Sequence, residues 1–269
     1  MKYIIKGSNS KEMLLELTYK GELVNRKVVI FSHGFKGFKD WGCFPLVSRH
    51  FAENNFVFIN FNFSHNGTTL ENPTIFDDLE SFGNNNFSKE LFDLNKVIDF
   101  VYDKIKNPEI TLLGHSRGGG ISILKSSIDP RVKKIVSWAS PSNFLNRMDE
   151  ERINLWKEKG VIYVYNGRTK QNMPMYLQFY EDCIKNRDQL DIRKAVISLT
   201  IPQLIVHGDS DPTVLVDEAK DIHKWNSSSV LCILNGADHV FGASHPYNTN
   251  ILPTDMQFVV EKTINFINQ

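Results

Sequence analysis

The sequence predicts an α/β fold with a largely parallel central sheet and helices on both faces. The apolar run Val28–Ser32 is continuous rather than alternating, which is typical of a strand buried on both sides, and Phe56–Phe63 is predicted as the next buried strand. Segments with a single apolar face, typical of surface helices, stand between these runs. This strand–helix alternation repeats along the chain, and such repetition indicates parallel strands joined by helical crossovers.

The first half of the chain supplies most of the predicted sheet. Its predicted strands are Tyr3–Lys6, Leu14–Tyr19, Val28–Ser32, Phe56–Phe63, the run ending at Gly114, and Val132–Ala139. One predicted helix is Phe44–Asn54, with a proline in its first turn, and another is Ser88–Lys106, with Ser88 as its N-cap. A third helix follows Gly118 and carries Ile121, Leu124 and Ile128 on its apolar side. Ser64–Phe87 is polar and contains glycine and proline, so a long loop is predicted there.

Residues 142–198 break the alternation. The segment contains a charge-rich helical stretch at Arg147–Lys159, a hairpin signal at Asn166-Gly167 and a short helix at Leu190–Ile197. The alternation then resumes with strands at Ile201–His207 and Val230–Leu234, a helix between them, and a final helix from about Thr254. We therefore expect a core formed by residues 1–141 and 199–269, with 142–198 inserted as a lid over the carboxyl edge of the sheet.

Composition excludes several classes of function. The chain has 269 residues, 41% of them apolar, and its 31 basic residues balance 31 acidic ones. A net charge of zero does not favour capture of nucleic acid or an anionic membrane. The cysteines, Cys43, Cys183 and Cys232, are odd in number and widely spaced, which favours reduced thiols and a cytoplasmic protein. We see no signal peptide and no apolar run near the ~20 residues that span a bilayer.

The pentapeptide Gly114-His115-Ser116-Arg117-Gly118 fits the G-x-S-x-G pattern of a nucleophile elbow. A strand precedes it and a helix follows it, so Ser116 is placed at the apex of a tight turn. Side chains at the two flanking glycines would collide with neighbouring backbone. The pattern predicts a nucleophilic serine at a helix N-terminus, whereas a turn without chemistry is the alternative.

A serine hydroxyl needs a base within reach, and the base needs an orienting group. Asp209 and Asp211 follow one late strand, and His239 follows the next. Asp209 directly follows a strand glycine and is better placed to hold the turn, so Asp211 is the favoured acid. Asp238 is adjacent to His239 and is a poor orienter. The predicted catalytic residues are Ser116, Asp211 and His239, although loop aspartates also commonly cap helices and turns.

The predicted oxyanion hole uses backbone N–H groups of Phe35, in the loop after the first buried strand, and of Arg117. His33 is expected to brace that loop, and His115 is expected to be a packing residue. A metal site formed by His207, Asp209, Asp211 and His239 can be drawn, but these residues lack ligand-like spacing and the serine motif would go unexplained. We therefore expect no metal and no cofactor. The sequence does not identify substrate-binding residues.

These motifs resemble those of the α/β-hydrolase superfamily, and more closely those of bacterial carboxylesterases of the cinnamoyl/feruloyl esterase and dienelactone-hydrolase-related groups. The residues that carry the resemblance lie at 33–37, 114–119, 207–211 and 236–239. The resemblance implies a lid inserted before the strand that ends in the acid, which fits 142–198 in place and size. Arg117 departs from the family pattern, which often has glutamine after the nucleophile.

The sequence thus predicts a serine carboxylesterase that hydrolyses small or aromatic acyl esters through an acyl-enzyme. Apolar residues of the lid are expected either to line an acyl pocket or to form the lid's own core; these are Met173, Met175, Tyr176, Phe179 and Tyr180. A serine peptidase or amidase is an alternative, with Asp149, Glu150 and Glu151 available to hold a substrate amine. A hydrolase-fold binding protein without turnover is a further alternative. A small-molecule ester is the expected partner, and the oligomeric state is left open.

Overall fold

The structure is a computed structural model that describes residues 1–145 and 149–269. Its strands are β1 Lys2–Lys6, β2 Glu12–Thr18, β3 Lys27–Ser32, β4 Val57–Phe61, β5 Glu109–His115, β6 Val132–Trp138, β7 Val161–Asn166, β8 Gln171–Tyr176, β9 Gln203–Gly208 and β10 Val230–Leu234. Its α-helices are α1 Phe44–Glu53, α2 Leu79–Gly83, α3 Phe87–Lys104, α4 Arg117–Ser126, α5 Glu150–Lys159, α6 Gln178–Lys185, α7 Ile192–Ser198, α8 Val216–Trp225 and α9 Thr254–Asn268.

Eight strands of the described chain form one sheet in the order β1-β2-β4-β3-β5-β6-β9-β10. The pairs β1–β2 and β2–β4 are antiparallel, and every following pair from β4–β3 to β9–β10 is parallel. The prediction of a mostly parallel sheet is therefore confirmed. Because the six parallel strands end at one edge, the loops that follow β3, β5, β9 and β10 lie near one another.

Alternate residues of β3 face two separate hydrophobic cores. Val28 and Ile30 belong to the core that contains residues of α3, α4 and α8. Val29 and Phe31 belong to the opposite core, which contains residues of α1 and α9. All four side chains are fully buried, as expected for a continuous apolar strand covered on both faces. This sandwich holds the strand ends, and hence the loops at the carboxyl edge, in place.

The prediction of a long polar loop at Ser64–Phe87 is wrong in part. This segment contains the short helix α2, and the side chain of Asp78 caps that helix by accepting the N–H of Ser81 at 2.9 Å. Phe76 and Phe82 are buried against the core, so the segment is packed rather than loose. Apolar residues scattered among asparagines gave no periodic signal for so short a helix.

Two details of the predicted helices are also corrected. Asn86, not Ser88, caps α3, because its side chain accepts the N–H of Lys89 at 2.9 Å. Three consecutive asparagines precede the helix, and sequence alone did not show which of them had the right geometry. Ile128 lies beyond the end of α4 and is 61% exposed, so it is not part of the buried side of that helix.

Between β6 and β9 the described chain forms α5, the antiparallel hairpin β7–β8, α6 and α7. Val161 pairs with Tyr176 and Asn166 pairs with Gln171, so the hairpin turn falls where Asn166-Gly167 indicated. Arg147, at the start of the predicted helical stretch, lies outside the described residues. The division into a core and a lid at 142–198 stays a prediction.

Candidate active site

Ser116 lies in a strained turn between β5 and α4. Its φ is 55° and its ψ is −127°, a conformation that a non-glycine residue rarely adopts. A Cβ at Gly114 would lie 2.1 Å from the carbonyl oxygen of Gly118, and one at Gly118 would lie 2.2 Å from that of Ser32. Both glycines are therefore required by close backbone approach, as the sequence predicts for a nucleophile elbow.

The imidazole of His239 is bound to Asp211. The His239 Nδ1 atom lies 2.6 Å from Asp211 Oδ2, while Asp211 Oδ1 accepts the N–H groups of Thr213 at 2.7 Å and Val214 at 2.9 Å. Burial alone raises the pKa of Asp211, but hydrogen bonds from His207, His239 and the backbone outweigh it and hold the pKa well below its usual range. An ionised carboxylate only accepts hydrogen bonds, so His239 carries a proton on Nδ1, and in the neutral ring Nε2 is the nitrogen left free to accept a proton.

A second histidine, His207, braces the same carboxylate. Its Nε2 lies 2.8 Å from the carbonyl oxygen of Val214 and 3.3 Å from Asp211 Oδ2. A carbonyl oxygen only accepts, so this nitrogen carries a proton and points it at the loop that holds Asp211. From the sequence, His207 was a candidate only for a metal site, because nothing in the motif His207-Gly208-Asp209 indicates a contact with the carboxylate of Asp211.

The other aspartates near His239 hold turns. Asp209 Oδ1 accepts the N–H of Gly236 at 2.7 Å and so ties the loop after β9 to the loop after β10. Asp238 Oδ1 accepts the N–H groups of Val240 at 3.0 Å and Gly242 at 2.9 Å, which closes the turn that follows His239. Among the three candidate aspartates, the described structure brings only Asp211 into contact with the imidazole of His239.

Ser116 and His239 line one cavity of about 460 Å³ at the carboxyl edge of the sheet. Within residues 1–145 and 149–269, no hydrogen bond joins the Ser116 hydroxyl to His239. The loop after β3 also reaches this cavity, and a Cβ on Gly34 would lie 2.9 Å from the Cβ of Ser116. Phe35 lines the cavity, and Arg117 is the first residue of α4, so both predicted N–H donors belong to segments that flank Ser116.

His115 has a role that the packing interpretation missed. It is buried, and its Nε2 lies 2.8 Å from the carbonyl oxygen of His239, to which it must donate. Burial lowers the pKa of His115 to about 3, so the ring stays neutral. His33 fits its predicted role as a brace: its Nδ1 lies 2.9 Å from the Gly34 oxygen, and burial lowers its pKa to about 4. Only the spatial proximity of β5 and the loop after β10 could reveal the His115 contact.

A second, smaller cavity of about 220 Å³ adjoins the first, because Phe35 and Val164 line both. Aromatic rings dominate it, and the guanidinium of Arg117 lies 4.0 Å from the centre of the Phe35 ring and 5.4 Å from that of Phe179. The Arg117 Nη1 atom also lies 3.4 Å from Oε1 of the buried Glu90. We call this smaller cavity the aromatic chamber; its other lining residues are Phe87, Phe144, Arg152, Trp156, Ile162 and Met175.

The candidate pocket residues of 142–198 divide between the two expected roles. Met175 and Phe179 line the aromatic chamber, whereas Met173 is fully buried in the core. The hydroxyl of Tyr176 contacts Glu80, and the Tyr180 ring packs beside that of Trp156. All of these candidates are apolar or aromatic, so the sequence alone did not distinguish the residues that line a pocket from those that pack in a core.

The acidic residues considered for amine binding lie elsewhere. Asp149 caps α5 by accepting the N–H of Arg152 at 2.7 Å, and Glu150 and Glu151 are exposed in the first turn of that helix. None of the three lines the cavity that contains Ser116. Across the described part of the chain, no three metal-ligating side chains are grouped as a metal site, and no helix is long and apolar enough to cross a membrane.

Comparison with known families agrees with this geometry. A family model described as the alpha/beta hydrolase fold matches residues 27–180, which is more than half of the chain. The chain belongs to the alpha/beta hydrolase fold family. The match begins at β3 and includes the strained serine turn, so the prediction of this fold from the sequence motifs is confirmed.

Solved structures of other proteins superpose on nearly the whole chain. Est1E from Butyrivibrio proteoclasticus, in a complex with ferulic acid, superposes with a TM-score of 0.74 at 17% identity, covering 100% of this chain and 98% of the other. The esterase EaEST from Exiguobacterium antarcticum superposes with a TM-score of 0.66 at 17% identity, covering 100% of both chains. At these identities the likeness shows the fold rather than the activity.

A curated relative from Mycoplasma genitalium, named as an esterase/lipase, is 29% identical over 118 residues. The aligned segment is 44% of this chain and 39% of that relative. The match therefore spans about two fifths of the length of the relative. The proteins to which this chain is similar thus include several that are named as esterases.

Proposed function

We propose that this protein is a serine carboxylesterase that uses Ser116, His239 and Asp211. One observation carries the proposal: an imidazole that is hydrogen-bonded through Nδ1 to a buried, ionised carboxylate shares a cavity with a serine in a strained turn. A base oriented in this way and a serine at a helix N-terminus are the components that acyl transfer requires. The family membership supports the same chemistry.

In the proposed reaction, Ser116 Oγ attacks the carbonyl carbon of an ester while His239 Nε2 takes the hydroxyl proton. Asp211 stabilises the imidazolium that forms and keeps the ring in its orientation. Backbone N–H groups of Phe35 and Arg117 donate to the oxyanion of the tetrahedral intermediate. His239 then gives its proton to the leaving alkoxide, which leaves an acyl group on Ser116. Water, deprotonated by His239, releases the acid and restores the serine.

The contact between Ser116 and His239 is expected to tighten when an ester occupies the cavity. Catalytic hydrogen bonds are often long in unliganded enzymes and shorten in the substrate complex. A rotation of the Ser116 side chain suffices to change the direction of its hydroxyl, because the backbone of the turn is fixed by the flanking glycines.

An aromatic or small acyl group is the substrate class that we propose. The aromatic chamber lies next to the cavity of Ser116 and is lined by Phe35, Phe87 and Phe179. Est1E, which binds ferulic acid in its solved complex, supports an aromatic acid as the acyl product. Among the described residues, none that lines the cavity of Ser116 is a carboxylate that could hold a substrate amine, so the peptidase alternative has less support.

Hydrolysis assays on matched substrates test the proposal. We expect turnover of p-nitrophenyl acetate and methyl ferulate, little turnover of aminoacyl-nitroanilides, and at least about a thousandfold loss of kcat in Ser116→Ala. Ser122→Ala is the matched control, because Ser122 lies on α4 with a buried hydroxyl that has no partner within the described chain. Retained ester hydrolysis in Ser116→Ala would overturn the mechanism, and faster turnover of the nitroanilides would favour a peptidase.

The remaining expectations about location and partners belong to the same proposal. Cys43 and Cys183 are buried free thiols, and Cys232 is a partly buried free thiol, which supports a reducing and hence cytoplasmic location. A small-molecule ester is the proposed partner.

A further inference from the structure

The cavity of Ser116 carries an unbalanced positive charge. Lys36, from the loop after β3, and Arg168, from the β7–β8 turn, both line it, and no aspartate or glutamate of residues 1–145 and 149–269 does. Two histidines also line it: burial lowers the pKa of His115 to about 3, so that ring is neutral, and in the proposed mechanism His239 becomes a cation only during the reaction. The walls of this cavity are therefore suited to a ligand that brings a negative charge.

Arg168 is an exposed residue at the cavity and has no counterion within the described chain. Its guanidinium makes no hydrogen bond and no ion pair with any described residue, and it lies 5.4 Å from the centre of the Phe38 ring and 5.6 Å from that of Phe76. The backbone N–H of Arg168 donates to the side chain of buried Asn166 at 3.2 Å, which fixes the turn. All five N–H donors of the guanidinium are thus available to a ligand.

Lys36 and Arg168 bring like charges to the same cavity. The Lys36 ammonium contacts one acceptor, the carbonyl oxygen of Tyr165, at 3.3 Å. Burial and the nearby guanidinium of Arg168 both lower the pKa of Lys36. Two cations in one partly enclosed cavity repel each other, and a bound anion between them relieves that repulsion.

The chemistry of the proposed reaction decides which half of the ester lies beside these cations. His239 must donate a proton to the leaving oxygen, so the alcohol half of the substrate lies on the side of the cavity that His239 lines. The acyl half then extends past Phe35 toward the aromatic chamber. Lys36 and Arg168 line the cavity of His239 and do not line the aromatic chamber.

We propose that Lys36 and Arg168 select esters whose alcohol half carries a carboxylate. This inference rests on the proposed esterase function and names the substrate class of the same site. The planar guanidinium of Arg168 pairs with both carboxylate oxygens, and the Lys36 ammonium adds a third donor. The charge of the leaving group then contributes to binding at the cavity mouth, while the aromatic chamber receives the acyl group.

A pair of synthetic esters isolates this effect. 4-Acetoxybenzoate and 4-acetoxybenzamide have the same acyl group and similar shape, but only the first carries a negative charge on the alcohol half. We expect the ratio of kcat/KM for the anionic ester to that for the neutral ester to fall about five- to tenfold in Arg168→Gln, and similarly in Lys36→Gln. Because each ratio is compared with that of the wild type, differences in intrinsic reactivity between the two esters cancel.

Lys170→Gln is the matched control. It removes one positive charge from the same hairpin turn, but Lys170 does not line the cavity. We expect its ratio to equal that of the wild type. We also expect the wild-type ratio to fall when NaCl is raised to about 0.5 M, because salt screens partly exposed charges.

The outcomes separate this inference from the proposed function. If neither ester is hydrolysed by the wild type, the esterase proposal fails. If both are hydrolysed and Arg168→Gln and Lys36→Gln leave the ratio unchanged, the esterase proposal stands and the carboxylate preference is wrong. A ratio that falls equally in Lys170→Gln also contradicts it, since the effect would then reflect net charge alone.

Discussion

His239 Nδ1 lies 2.6 Å from Asp211 Oδ2, and the carboxylate that accepts this hydrogen bond has no exposed side-chain surface. Backbone N–H groups of Thr213 and Val214 occupy its other oxygen. These contacts leave the carboxylate no freedom to turn away, so it fixes both the tautomer and the direction of the imidazole. The residue that we propose as the catalytic base is therefore positioned before any substrate arrives.

Replacing this carboxylate is expected to damage catalysis more than folding. In Asp211→Asn the uncharged amide no longer stabilises the imidazolium, and we expect kcat for p-nitrophenyl acetate to fall about 10²- to 10⁴-fold. Asp209→Asn is the matched control, because Asp209 lies two residues away and contacts Gly236 rather than His239. Similar losses in the two variants would contradict the assignment of Asp211 as the orienting acid.

His115 is expected to act as a positioning residue, because its N–H holds the backbone of His239. His115→Leu removes this donor, and we expect about a tenfold loss of kcat. His115→Gln places an N–H at the end of its side chain and should recover part of the loss. Steady-state kinetics and urea unfolding, measured on both variants, separate positioning from stability. A folded His115→Leu with wild-type kcat contradicts this role.

The glycine after Arg117 is expected to be essential for folding of the turn. A Cβ at Gly118 would lie 2.2 Å from the backbone oxygen of Ser32, and neither backbone segment can move aside. We expect Gly118→Ala to lower the free energy of unfolding by about 3 kcal/mol or more. Gly167→Ala is the control, because the nearest atom to its Cβ would be 4.0 Å away and the change should be within about 0.5 kcal/mol. Urea titration measures both, and equal stabilities would refute the argument.

Acid is expected to destabilise the fold between pH 7 and pH 5. Burial lowers the pKa values of His33 and His65 to about 4 and that of His115 to about 3, whereas unfolded histidine titrates near ~6.5. The unfolded chain therefore binds more protons in this range, and the free energy of unfolding falls as pH falls. Burial raises the pKa of Asp93 to about 6 and also raises that of the Glu90 carboxyl group, and both changes act in the opposite direction.

Urea unfolding at pH 7 and pH 5 measures the balance of these groups. Three histidines outweigh the two carboxyl groups, so we expect a net loss of stability at pH 5. Asp93→Asn removes one of the two opposing groups and should make the loss larger. A free energy of unfolding that is constant or rises toward pH 5 contradicts the neutral state of the buried histidines.

The fold was predictable from sequence because its strongest signals are local in the chain. Continuous apolar strands such as Val28–Ser32 and the G-x-S-x-G turn at Ser116 each follow from short-range steric and burial requirements. The sequence favoured Asp211 over Asp209 as the orienting acid because Asp209 directly follows the strand, whereas Asp211 lies further along the loop. These inferences need only the order of residues in one segment.

Contacts between distant segments were not predictable in this way. The bond from His115 to the backbone of His239 joins residues 124 positions apart, and nothing in either sequence segment indicates it. Helix α2 is too short to show a period, and its cap, Asp78, is one of several polar residues nearby. The cavity charge from Lys36 and Arg168 likewise arises only when the β7–β8 turn meets the loop after β3.

Active-site labelling tests the central claim most directly. The wild type is incubated with a fluorophosphonate probe, digested, and analysed by peptide mass spectrometry, with His239→Ala as the variant that lacks the base. We expect one probe per chain on Ser116 in the wild type and a reaction that is slower by at least about a hundredfold in His239→Ala. Labelling on another residue, or equal rates for the two proteins, would show that His239 does not activate Ser116.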